Sequence, residues 1–80
     1  MSEHRVVAPP RDQWKTKGPQ FYFESIEKTY GKPIQEWLDI AADRLDTHPH
    51  MQVVESMKTE YGLGHGHANA IVGYAKAKLA

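Results

Sequence analysis

The sequence predicts an all-α fold, a compact array of four short helices. Apolar residues recur at spacings of three and four over most of the chain, which is typical of amphipathic helices. Glycine or proline interrupts this pattern repeatedly and divides it into segments of helical length. Alternation of apolar and polar residues bounded by hairpin turns, which would indicate strands, does not occur in the sequence.

Length and composition predict one small cytoplasmic domain. The chain has 80 residues and no cysteine, so we expect a single core held by packing, without disulfides or thiolate metal sites. No stretch approaches the roughly 20 apolar residues that a membrane-spanning helix needs, and the polar start of the chain is unlike a signal peptide. We therefore expect no membrane partner.

Residues 1–17 are predicted to form a flexible, disordered N-terminal arm. They contain two consecutive prolines, several charges and few apolar groups, so they bury too little surface to offset the entropy of ordering. The exceptions are Val6, Val7 and Trp14, which are candidates to fold back. Residues 18–80 are then the helical domain.

The first helix is predicted from Pro19, a residue favoured in the first turn of a helix. Its apolar positions Phe23, Ile26 and Tyr30 follow at spacings of three and four, and Gly31 ends it.

The second helix is predicted to open at Pro33 and is the most clearly amphipathic segment. Its polar face is acidic, which favours packing in the core over binding to a membrane surface. Its apolar stripe consists of Ile34, Trp37, Leu38, Ala41 and Leu45.

The third helix is predicted after a turn in which Asp46 or Thr47 is the candidate N-cap and Pro49 occupies the first turn. Gly62 suits its left-handed C-terminal cap. Its apolar stripe is Val53, Val54, Met57 and Tyr61. The fourth helix, from about residue 66 to 79, has the stripe Ala68, Ile71, Val72, Ala75 and Leu79.

Three glycines crowd the connection between the third and fourth helices. Gly62, Leu63 and Gly64, followed by Ala68 and Ile71, have the spacing of a helix-hairpin-helix. In that motif, amides at the start of the second helix face a DNA phosphate, helped by the helix dipole. The same glycines and alanine also serve close helix packing alone, so the spacing leaves both roles open.

The side-chain charges around this hairpin only partly suit nucleic acid, because duplex binding depends on lysine and arginine side chains that neutralise phosphates. The hairpin offers His65 and His67, a residue type that is largely neutral at pH 7. Lys76 and Lys78 lie further along the helix, and residues 18–60 carry eight acidic against four basic side chains. The candidate ligand-binding residues are Gly64, His65, Gly66, His67 and Asn69.

Histidines also flank the third helix in two pairs and are weak candidates for metal ligands. About 12 helical residues separate the pairs by ~18 Å, too far for one metal ion within a protomer. One pair could still contribute to a site with a carboxylate or across a dimer, but we predict no metal site. The alternative is that the imidazoles cap turns or lie in solvent, and a ring nitrogen of His50 can hydrogen-bond to the backbone or to the facing glycine-histidine turn. The four residues are His48, His50, His65 and His67.

The sequence favours a binding protein over an enzyme. Its serines and threonines lack a recognisable nucleophile context, its carboxylates are spread along helix faces, and chains this small rarely enclose a catalytic pocket. We expect no cofactor. The aromatic residues outside the apolar stripes would mark a protein partner or a homodimer interface if they cluster. These are Trp14, Phe21, Tyr22 and Tyr74.

Several segments resemble a family of small bacterial proteins described only as a domain of unknown function. The resemblance covers about residues 18 to 75 and implies no activity, substrate or cofactor. Gln52 and Ser56 depart from it, since similar sequences often have glutamate and tryptophan there. The matching segments are Ser25-Ile26-Glu27, Tyr30-Gly31-Lys32, Trp37-Leu38, His50 and the signature GLGHGHANA from Gly62 to Ala70.

Taken together, the residues predict a small non-enzymatic binding module with its contact surface at Gly62 to Asn69. The ligand classes left open are a phosphate-bearing partner, nucleic acid included, and another protein.

Overall fold

The computed structural model describes residues 6–15 and 18–79 and contains four α-helices. No strand occurs among these residues, so the all-α prediction is confirmed. None of the helices in this part of the chain combines the length and apolar character needed to cross a membrane. The elements are 3-10 turns at Arg11–Lys15 and Pro19–Tyr22, then α1 (Phe23–Tyr30), α2 (Ile34–Leu45), α3 (His50–Tyr61) and α4 (His65–Leu79).

The core forms around α4, which packs against α2, α3 and the second 3-10 turn. Ala68 and Ala75 are fully buried on α4, and their small side chains allow neighbouring helices to approach closely. Other elements contribute larger side chains to the same cluster, among them Phe23, Leu38 and Met57. The predicted stripes therefore face one common core, although Tyr61 at the end of α3 is exposed.

Two glycines end helices in the left-handed conformation. Gly31 follows α1 with φ 70° and Gly62 follows α3 with φ 71°, and each amide donates to a carbonyl four residues earlier. Side chains with a Cβ rarely adopt this backbone conformation. The prediction of both glycines as helix terminators is confirmed.

Two predicted helix starts are wrong. Pro19 opens a 3-10 turn, and the α-helix starts only at Phe23. The N-cap of α3 is Pro49, and neither Asp46 nor Thr47 caps it. Proline disfavours helical geometry at the residue before it. His48 therefore stays outside the helix, and α3 starts at His50, directly after Pro49. Asp46 instead follows the last residue of α2, as its C-cap.

Part of the predicted arm lies against the helices. Val6 is 1% exposed and Trp14 is 6% exposed, and both belong to the core cluster. Val7 is 67% exposed. Of the three residues expected as candidates to fold back, Val6 and Trp14 therefore do so. The arm prediction also covers residues 1–5 and 16–17, which lie outside the described residues.

An arginine fork joins α2 to α3. Arg44 donates from Nη1 to Glu60 Oε2 at 2.7 Å and from Nη2 to Glu60 Oε1 at 2.8 Å. Its Nη1 also donates to Ser56 Oγ at 3.0 Å. The hydrogen bond from Arg44 lowers the pKa of Glu60, and the same contact raises the pKa of Arg44.

We predict that Gly62→Ala and Gly73→Ala change stability in opposite directions. Gly62→Ala forces a Cβ into left-handed backbone and should cost about 1–2 kcal/mol. Gly73 lies within α4, where an added Cβ meets nothing within 4 Å, so Gly73→Ala should stabilise by about 0.5–1 kcal/mol. Urea unfolding of both variants measures this. Equal effects would contradict the assigned role of Gly62.

We predict that Glu60→Gln destabilises the domain at neutral pH and that the difference from wild type disappears in acid. The pKa of Glu60 is lower in the folded state than its ordinary value of 4.5. Its stabilisation is therefore present above that value and is lost as the pH falls through the folded pKa. Unfolding midpoints measured over an acid-to-neutral series test this.

Glu55→Gln is the matched control for this series. Glu55 is an exposed glutamate on the same helix, 3.7 Å from Lys58, and such a surface pair contributes little. A Glu60→Gln effect that did not vary with pH, or one no larger than that of Glu55→Gln, would argue against the fork.

Candidate functional site

A surface groove of about 540 Å³ runs along the N-terminal half of α4. Besides α4 and the turn before it, the lining includes Tyr22 in the second 3-10 turn and His50, the first residue of α3. We call it the α4 groove. The residues that line it are Tyr22, His50, Gly64, Gly66, His67, Asn69, Ala70 and Gly73.

Three of the α4 residues that line the groove have no side chain or only a methyl group. Gly66, Ala70 and Gly73 follow one another at spacings of four and three, which places them on one face of α4. Cβ atoms built at Gly66 and Gly73 meet nothing within 4 Å. A molecule in the groove can therefore approach the helix backbone more closely than longer side chains would permit.

The first turn of α4 presents amide groups beside these small residues. Gly64 precedes the helix, and its carbonyl accepts the first helical hydrogen bond from the Ala68 amide at 2.9 Å. Helix starts leave their first amides without helical acceptors, and glycine in the capping position supplies no side-chain oxygen. The amides of Gly66 and His67 therefore carry the partial positive charge of the helix start without a cap from Gly64.

Tyr30 connects the turn to a groove histidine. Its hydroxyl accepts a hydrogen bond from the Gly64 amide at 3.0 Å and lies 2.9 Å from Nδ1 of His67. Since the oxygen already accepts from Gly64, the arrangement that satisfies all three groups has the hydroxyl donating to Nδ1. The imidazole proton of His67 is then on Nε2, which leaves an N–H donor on this groove residue.

His50 and Asn69 link α3 to α4 at the groove. His50 Nε2 lies 3.1 Å from Asn69 Oδ1, so an imidazole N–H donates to the amide oxygen. The other nitrogen, Nδ1, is buried and has no hydrogen-bond partner among the described residues. The hydrogen bond of His50 is thus to Asn69 on α4, whereas the sequence predicts one to the backbone or to the glycine-histidine turn.

The structure brings together most of the sequence-predicted contact residues. Gly64, Gly66, His67 and Asn69 all line the α4 groove, whereas His65 is exposed and does not. Neighbouring residues of a helix point in different directions, and His65 lies off the face that carries Gly66.

Sequence reasoning missed several groove residues. The small residues Ala70 and Gly73 continue the spacing that begins at Gly66, and this pattern was a usable signal. The sequence marks Tyr22 only as an aromatic residue outside the apolar stripes. Tyr30 does not line the groove and belongs to a core stripe by its spacing. Its hydroxyl contact with Gly64 joins residues 34 positions apart, which no local pattern reveals.

The histidine pairs do not form a metal centre. Within residues 6–15 and 18–79, no three histidine, aspartate or glutamate side chains form a group that could hold a metal ion. Three of the imidazoles have protein partners: His48 with Thr47, His50 with Asn69, and His67 with Tyr30.

The off-stripe aromatic residues divide into two groups. Trp14 and Tyr74 are buried in the core, where each makes an edge contact with Phe23. Phe21 and Tyr22 are 61% and 48% exposed, and their rings pack edge to face at 5.7 Å. Only this second pair lies at the surface beside the α4 groove.

Residues 18–77 match the family model described as Domain of unknown function (DUF4287). The chain belongs to this family. The DUF4287 match contains α1, α2 and α3, all of α4 except its last two residues, and every residue of the α4 groove. No curated protein and no solved structure matches the chain.

We predict that Tyr30→Phe destabilises the domain by about 0.5–1.5 kcal/mol, because it removes the partner of both the Gly64 amide and His67 Nδ1. Urea unfolding measures the loss, and imidazole nitrogen spectra of His67 report the change at Nδ1. Tyr61→Phe is the control, since its exposed hydroxyl lies 3.5 Å from Arg44. Equal losses from the two substitutions would contradict the special role of Tyr30.

Proposed function

We propose that this DUF4287 protein is a small, non-enzymatic binding module of the cytoplasm, and that the α4 groove binds a small phosphate-bearing molecule. The observation that carries the proposal is that the glycines at the uncapped start of α4 are among the residues that line the groove. Gly64 and Gly66 bring the uncapped start of α4 to a groove of about 540 Å³. This volume lies within the roughly 300–1,000 Å³ of small-molecule sites.

The hydrogen-bond donors at the start of α4 suit a single anionic group. Amides at a helix start bind phosphate or carboxylate oxygens through hydrogen bonds and the helix dipole. His67 adds an N–H donor from the same helical turn, because Tyr30 holds its Nδ1. The described groove residues include no aspartate or glutamate that would repel an anion.

The charge distribution favours a small ligand over a nucleic acid duplex. Duplex binding depends on several lysine or arginine contacts with successive phosphates, and none of the described groove residues is lysine or arginine. Lys76 follows Gly73, the last groove residue on α4, by three residues, but it lies ten residues beyond Gly66, which is about 15 Å along a helix from the amides of the helix start.

The remainder of the groove suits a flat or apolar group. Tyr22 exposes about half of its side chain beside the groove, and aromatic faces stack on planar rings. Gly73 and Ala70 leave room for such a ring against the helix. A mononucleotide combines a phosphate with a planar base, and it is therefore the probe that we choose.

A protein partner or a homodimer is the second candidate function. Phe21 and Met51 are 61% and 67% exposed, and each neighbours a groove residue in the sequence. Exposed aromatic and methionine side chains are enriched at protein interfaces. Sedimentation of the protein alone tests self-association directly.

We predict that adenosine monophosphate shifts the amide resonances of Gly64 to Asn69 more than adenosine or inorganic phosphate does. The phosphate would bind the helix start while the base lies against Tyr22. Titrations followed by amide-resolved spectra measure this. Gly73→Leu should weaken binding by about tenfold or more, because its side chain fills the open space of the groove.

Thr59→Leu is the matched control, because Thr59 is exposed on α3 and lies outside the groove. No shift with any of the three probes, or equal binding by the two leucine variants, would overturn the proposal. A steeply salt-dependent response to a short DNA duplex would favour nucleic acid, and a stable dimer in sedimentation would favour the protein-interface alternative.

A further inference from the structure

The segment of residues 6–15 is held to the helical domain by its main chain. Gln35 on α2 donates from Nε2 to the Val6 carbonyl at 2.7 Å and accepts from the Ala8 amide at 2.8 Å. Nε2 also donates to Asp39 Oδ1 at 3.0 Å, which fixes the orientation of the amide. We call this arrangement the Gln35 clamp. The Gln35 side chain bonds one main-chain carbonyl and one main-chain amide of the segment, as the main chain of an adjacent β-strand would.

Two buried side chains anchor the segment on either side of its prolines. Val6 and Trp14 are 1% and 6% exposed, while Val7 between the clamped groups is 67% exposed. Trp14 packs edge to face on Phe23 at 5.7 Å. Its Nε1 donates to the carbonyl of Pro9 at 2.9 Å, so the anchor satisfies its polar group within the segment.

A charged contact completes the attachment. Arg11 donates to Glu27 Oε1 at 2.7 Å, and its guanidinium carbon lies 4.5 Å from the centre of the Trp14 ring. The other oxygen of Glu27 accepts from the Ile34 amide at 2.8 Å, at the start of α2. The domain itself therefore positions the carboxylate that receives Arg11.

Residues 6–15 lie outside the family domain, whereas the residues of the helices that contact them lie within it. The DUF4287 match covers residues 18–77, which includes Phe23, Glu27, Gln35 and Asp39. From this division, and independently of the α4 groove, we infer that these residues form a recognition site for an extended peptide. Residues 6–15 are its intramolecular ligand, and a partner segment of the same chemistry replaces them.

The contacts define the partner segment. It has an aliphatic residue for the Val6 position and a free main-chain amide two residues later for the Gln35 clamp. Arginine follows at the fifth position after the aliphatic residue, and tryptophan follows at the eighth. A tethered ligand has an effective concentration that reaches the millimolar range. The attached segment therefore keeps the site closed to dilute partners.

The experiment uses the full chain with its own segment weakened. Val6→Asp with Trp14→Ala removes both anchors, and a fluorescent peptide with the sequence of residues 5–15 is the probe. Anisotropy should show binding to this variant at least about tenfold tighter than to wild type, where the segment competes in cis. Circular dichroism establishes that each variant is folded.

A second variant keeps the test valid if loss of both anchors unfolds the domain. Ala8→Pro removes the amide that donates to Gln35 Oε1 and leaves the buried side chains unchanged, so it opens the clamp alone. It should also bind the peptide more tightly than wild type does.

Matched controls locate the site. Gln35→Ala, added to an opened variant, should weaken peptide binding by about tenfold or more, whereas Gln52→Ala, at an exposed position on α3, should not. A peptide with proline at the Ala8 position should fail to bind, and one with serine at the Val7 position should bind normally. Absence of binding to a folded, opened variant, or no effect of Gln35→Ala, would overturn the inference.

Discussion

The burial of α4 on several sides is the constraint on which the structure depends. A chain of 80 residues has a small core, and one helix supplies its centre. Ala68 and Ala75 allow the other helices to pack close to α4. The part of the helix that is not buried includes Gly66 and Gly73. The same helix therefore organises the core and lines the α4 groove.

Tyr30 couples this packing to the groove chemistry. It is the last residue of α1, and its ring packs on both Trp37 and His67. Its hydroxyl accepts from Gly64 and lies within hydrogen-bond distance of His67. One side chain thus positions the turn before α4 and sets the donor arrangement of a groove imidazole. The geometry of the groove consequently depends on the docking of α1 as well as on α4 itself.

The sequence predicted the features that depend on local chemistry. Apolar periodicity gave the helices, and the need for left-handed backbone identified Gly31 and Gly62 as their ends. The sequence also predicts a contact surface at the glycine-histidine corner; this stays a prediction, although most of its candidate residues line the groove. The contacts of Tyr30 and Gln35 were not predicted, because they join residues that are distant in the chain. Such pairings depend on how helices pack, and helical periodicity does not specify them.

The Gln35 clamp has a consequence for how this chain can vary. Its two bonds go to main-chain atoms of Val6 and Ala8, and the side chain between them points into solvent. Nearly any side chain at position 7 preserves both bonds, whereas an insertion or deletion between the two bonded groups shifts the alignment of all that follows, Arg11 included. At position 7 the attachment thus depends on the spacing of the bonded groups and not on the side chain. Related chains could diverge widely at this position and still dock in the same register.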